Sequence, residues 1–95
     1  MLVAEVHYFR WQVKKLDLRG QNLKDVSDLS KFKNIEHLII TGNKLDELHL
    51  NGFKYLTRLA CAQNHLKVLE ISNMPKLLNL ACGVNQLTAL KITGC

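Results

Sequence analysis

From residue 13 onward the apolar residues follow a fixed spacing, and the spacing recurs. The pattern LxxLxLxxNxL is carried by VKKLDLRGQNL at 13–23, IEHLIITGNKL at 35–45, LTRLACAQNHL at 56–66 and LLNLACGVNQL at 77–87. The copies start 22, 21 and 21 residues apart. A repeat of this length describes a solenoid, in which each unit packs on its neighbours, rather than a globule with one closed core. Within each copy the two central apolar residues (Leu16 and Leu18, Leu38 and Ile40, Leu59 and Cys61, Leu80 and Cys82) are two apart. That period puts both on one face of a short strand, with the intervening residues pointing the other way. Stacked units then form a parallel sheet with strands ~4.8 Å apart. Four units follow: 13–34, 35–55, 56–76 and 77–95.

The return halves of the units differ. Leu23, Val26, Leu29, Phe32 and Ile35 advance by three throughout, which predicts helical or 3₁₀ turns in the first unit. The later units switch to a three-two-three step, as in Leu45, Leu48, Leu50 and Phe53, then Leu66, Leu69, Ile71 and Met74, then Leu87, Leu90, Ile92 and Cys95. This step predicts a second short strand in units two to four. Gln21, Asn43, Asn64 and Asn85 occupy the ninth position of the pattern, where the chain leaves the strand. Backbone groups in that bend lack a sheet partner, and a primary amide can donate and accept at once, so stacked Asn side chains serve as a structural ladder. Gln21 departs from the pattern and marks an irregular first turn. The competing reading of the Asn residues is a ligand site, but their spacing already accounts for them.

These motifs resemble the leucine-rich repeat family over residues 13–95, mainly its 21-residue subclass found in bacterial proteins, in which both halves carry LxxLxL. The first unit is closer to the 22-residue subclass with a helical return. The resemblance implies an α/β solenoid wound as a right-handed superhelix. Its concave side would be the parallel β-sheet, and its convex side would hold short strands and 3₁₀ or helical turns. It also implies an interaction scaffold rather than an enzyme.

A solenoid has two open ends. Residues 1–12, MLVAEVHYFRWQ, carry Tyr8, Phe9 and Trp11, large rings suited to covering a repeat edge, and are assigned as an N-terminal cap. Both a strand and a helix fit their pattern, and an aromatic binding platform is the competing role. No cap follows the fourth unit. Its open end implies a longer array, from which this chain is truncated, or cover by another chain, self-association through that end included.

Composition narrows the function. The 95 residues are 47% hydrophobic and 22% charged, with a single proline. No apolar run approaches the ~20 residues that cross a bilayer, and Glu5, His7 and Arg10 interrupt the N-terminal stretch where an export signal would be apolar. A complete chain of this kind is expected in the cytoplasm. The net charge of +5 raises binding to nucleic acid or another polyanion, but the lysines are spread around the repeats and interleaved with Asp and Glu instead of forming one stripe with stacking aromatics, so ordinary solvated charge is the preferred reading. Cys61 and Cys82 fall on core positions and Cys95 on the last apolar site, so all three read as reduced thiols and no metal site is expected. No nucleophile stands in a catalytic context, the glycines do not form a phosphate-cradling loop, and no cofactor is implied.

The surface built by the repeats remains. Residues flanking the strand leucines point outward: Lys15, Asp17 and Arg19, then His37, Ile39 and Thr41, then Arg58, Ala60 and Ala62, then Asn79, Ala81 and Gly83. Stacking aligns Lys15, His37 and Arg58 in a basic row beside the apolar Ile39, Ala60, Ala81 and Ala62. An apolar floor with a basic margin is the composition of a protein-binding or peptide-binding face. The expected partner residues are therefore His37, Ile39, Thr41, Arg58, Ala60, Ala62, Asn79 and Ala81. The plainer reading is that small residues relieve crowding where the sheet curves. The alternative reading of function is the recognition arm of a larger enzyme or receptor.

Overall fold

The computed structural model describes residues 13–95, and the segment assigned as a cap, 1–12, lies outside them. The chain forms a parallel-sheet β-solenoid of about four turns with little helix. The first sheet has four strands, β1 (Lys15–Asp17), β2 (His37–Ile39), β4 (Arg58–Ala60) and β6 (Asn79–Ala81), in that spatial order. The second has three, β3 (Glu47–Asn51), β5 (Val68–Ser72) and β7 (Ala89–Thr93). All pairings are parallel, and the register follows the repeat, with Leu16 opposite Leu38, Leu38 opposite Leu59 and Leu59 opposite Leu80.

The first turn has no second-sheet strand. Leu23 to Phe32 spans one residue more than Leu45 to Phe53 or Leu66 to Met74, and the extra residue is absorbed in a 3₁₀ turn at Ser27–Lys31. The turn is opened by Asp25, whose carboxylate accepts from the backbone N–H (3.0 Å) and the hydroxyl (3.1 Å) of Ser27. A tighter 3₁₀ rise fits the additional residue while still delivering Leu29 and Phe32 to the interior. It is the only helical element among the described residues, so helix contributes less than an α/β class implies.

The core lies between the two sheets. Leu38, Leu59, Ile40 and Cys61 from the first sheet face Leu48, Leu69, Leu50 and Ile71 from the second, with Phe32, Phe53 and Met74 filling the side where the second sheet hands the chain back to the first. Burial declines toward β6 and β7, the last strand of each sheet in chain order. Leu80 and Cys82 are half-buried, and Leu90 and Ile92, on core positions of the spacing, are 53% and 44% exposed.

Each corner turns through a residue of positive φ at an equivalent place. After the first sheet these are Gly20, Gly42, Gln63 and Val84, and after the second Gly52, Asn73 and Gly94. Only glycine takes this conformation without steric cost, so Val84, a β-branched residue at φ 53°, carries backbone strain. No helix among the described residues is long and apolar enough to cross a membrane.

Candidate functional site

The outer face of the first sheet holds the residues singled out from the sequence. Because the strands are in register, Lys15, His37, Arg58 and Asn79 form one row across β1, β2, β4 and β6. Asp17, Ile39, Ala60 and Ala81 form the next. His37, Ile39, Thr41, Ala60 and Ala62 are half-buried, while Arg58, Asn79 and Ala81 are exposed. The alternation that sends Leu38 and Leu59 inward sends these side chains outward.

The electrostatics of the face vary along it. Asp17 is held by Arg19, whose Nε and a terminal guanidinium nitrogen donate at 3.0 and 2.7 Å. These bonds, with the backbone N–H of Arg19, keep the Asp17 carboxyl below its usual range. The Asp17–Arg19 pair is self-satisfied, which leaves the cationic character of the face to Lys15 and Arg58. His37 lies between them. Partial burial first, and then the charges of Lys15 and Arg58, push its imidazole below the usual 6.5. At neutral pH His37 is therefore a neutral donor and acceptor beside an apolar patch.

The amide ladder borders this face. Asn43 Nδ2 donates to Leu18 O (3.0 Å) and Ile40 O (2.8 Å), and its Oδ1 accepts from the backbone N–H of Gln21 and Leu23, both at 3.0 Å. Asn64 Nδ2 donates to Ile40 O, Cys61 O and Ala62 O, all at 3.1 Å, and its Oδ1 accepts from Leu45 N–H at 3.2 Å. Asn85 Nδ2 reaches Cys61 O and Cys82 O, and its Oδ1 accepts from Asn64 and Leu66 N–H. Each amide thus joins two successive turns. Gln21 differs: its side chain is exposed, and it enters the ladder through its backbone N–H.

Two features went unread in the sequence. On the outer face of the second sheet, His49 sits opposite Glu70, which sits opposite Lys91. His49 Nε2 is 3.0 Å from Glu47 Oε1, and its Nδ1 is 3.1 Å from Glu70 Oε1. Hydrogen bonds to Glu47 and then Glu70 raise the His49 pKa above 6.5. The signals were Glu47 two residues before His49 and Glu70 exactly one repeat after it. The other is a flank where Lys33 and Lys54, and likewise Tyr55 and Lys76, are 21 residues apart. Lys76 Nζ lies 5.3 Å from the centre of the Tyr55 ring.

The thiols are not equivalent. Cys61 is fully buried, and burial pushes its pKa up to about 12. Cys82 is half-buried and Cys95 exposed. Among the described residues no group of three or more His, Cys, Asp or Glu is arranged to hold a metal ion. No family model matches the chain, and no curated protein or solved structure does either.

Proposed function

We propose that the chain is a leucine-rich repeat solenoid whose first sheet lines the concave side of a right-handed superhelix and binds a protein or peptide partner without catalysis. One observation carries the reading. The register brings Ile39, Ala60 and Ala81, from three separate turns, into one apolar row flanked by His37 and Arg58. These residues lie 21 apart in sequence and meet only when the solenoid forms. Thr41, Ala62 and Asn79 extend the same surface. Apolar contact would supply affinity, and Lys15 and Arg58 would orient a partner that offers carboxylates. The same surface serves equally if the chain is the recognition arm of a larger enzyme or receptor.

The test compares variants against partners recovered with the wild-type chain. Ala60→Glu should abolish their binding, because a charge would be buried unpaired in the contact, whereas Arg58→Glu should mainly slow association. Lys67→Glu, on an exposed corner residue, should leave binding intact. Equal binding of an authentic partner to wild type and Ala60→Glu would remove the first sheet as the site.

A further inference from the structure

We infer that the flank returning the chain from the second sheet to the first binds an extended oligophosphate chain, through Lys33, Lys54 and Lys76 with Tyr55 standing among them. This site is separate from the outer face of the first sheet and does not depend on the reading of that face. Two clefts open on the flank. One, of about 460 Å³, has Lys33, Asn51 and Lys54 in its walls. The other, of about 510 Å³, has Lys54, Asn73 and Lys76. Both are also lined by Tyr55, so the clefts share Lys54 and Tyr55 and form one trough across three turns.

Two of the three lysines are positioned rather than merely present. Lys33 Nζ donates to Asn51 O at 2.6 Å and lies 4.5 Å from the centre of the Phe53 ring. Lys76 is held over Tyr55. Asn51 Oδ1 is already taken by Ser72 Oγ (3.1 Å) and Asn73 Nδ2 (2.8 Å), so this acceptor is turned away from solvent anions. No Asp or Glu side chain lines either cleft, and Asp17, Asp28, Glu36, Glu47 and Glu70 pair elsewhere, with Arg19, Lys31, Lys14, His49 and Lys91.

The shape of the ligand follows from the arrangement. Three ammonium groups strung along an open trough, one turn after another, match a chain of phosphates better than a single compact anion, which needs convergent donors. Tyr55, 45% exposed, offers a ring on which a base can stack. A nucleic-acid backbone and an inorganic oligophosphate share the phosphate chemistry, and Tyr55 distinguishes them.

The test uses the 95-residue chain with two probes, a fluorescent single-stranded oligo(dT) of about 12 nucleotides and inorganic tripolyphosphate as competitor. Both should bind in low salt. Lys33→Ala combined with Lys54→Ala should weaken both by about tenfold and reduce the steepness of the log K against log salt plot for oligo(dT) by about 1.4, two lysines' worth of counterion release. Lys24→Ala with Lys44→Ala, on the opposite flank, should change little, and circular dichroism melts check that every variant is folded. If Tyr55→Ala weakens oligo(dT) alone, the trough takes nucleic acid; if it weakens neither, the trough takes the phosphate chain without bases. Undiminished binding by the Lys33/Lys54 variant overturns the inference. So does a polyglutamate of equal charge that binds as tightly as the phosphate probes.

Discussion

Replacing Asn64 by alanine removes four hydrogen bonds at once, but they are not of equal weight. Three run from Nδ2 to carbonyls that have a second donor: Ile40 O keeps Asn43 Nδ2, Cys61 O keeps Asn85 Nδ2 and Ala62 O keeps Gly42 N–H. The fourth is Leu45 N–H to Asn64 Oδ1, and Leu45 is completely buried, so water cannot replace that acceptor. One orphaned buried amide costs about 1–3 kcal/mol. Three carbonyls reduced to a single bond add a smaller amount, which brings the expected loss to about 2–4 kcal/mol. Lys67→Ala, exposed and next to the same corner, should stay within about 0.5 kcal/mol of wild type. Urea unfolding followed by far-ultraviolet circular dichroism measures both. Equal midpoints for the two variants would refute the claim that the amide bridges the turns.

Three further outcomes are expected. Val84→Gly should stabilise the chain by about 0.5–1 kcal/mol, because relief of a left-handed β-branched residue (about 1–2 kcal/mol) exceeds the entropy cost of glycine, and Val84 is 76% exposed and loses little packing; a lower melting temperature would contradict the strain. A thiol reagent should label Cys95 first, Cys82 next and Cys61 only on unfolding, as mass spectrometry of timed samples would show, with early Cys61 labelling the contrary result. Titration followed by NMR should place the His37 midpoint below 6.5 and that of His49 above it. With its folded pKa depressed, His37 contributes stability above pH 6.5 that is lost as pH falls through the folded value, whereas His49 contributes stability below 6.5 that is lost as pH rises through its own. Reversed midpoints would break the assignment of partners.

What the sequence made legible was whatever period carries. Leu16 and Leu18, or Leu69 and Ile71, alternate with polar residues and so announce a strand and its buried side together. The extra residue between Leu23 and Phe32 likewise announced a different first return. Conformation at single corners was less visible: glycine marks the left-handed turn at 20 and 42, but Gln63 and Val84 adopt it under tertiary constraint with no local signal. The exposure of Leu90 and Ile92 could not be told from spacing, because they carry the same step as the buried Leu48 and Leu50; the edge strand β3 has the first return half, with Leu29 and Phe32, to pack against, whereas no further turn packs on β7 among the described residues. Side-chain partnerships such as His49 with Glu70 depend on cross-strand register, which becomes readable only when positions one repeat apart are compared as neighbours.

The central functional claim is that the outer face of the first sheet receives the partner. Methyl NMR of the labelled chain during titration with a recovered partner tests it most directly. The methyl signals of Ile39, Ala60, Ala62 and Ala81 should shift or broaden first, while those of Val68 and Ala89 on the second sheet stay in place. Perturbation confined to Val68 and Ala89, with the first-sheet methyls unmoved, would contradict the account.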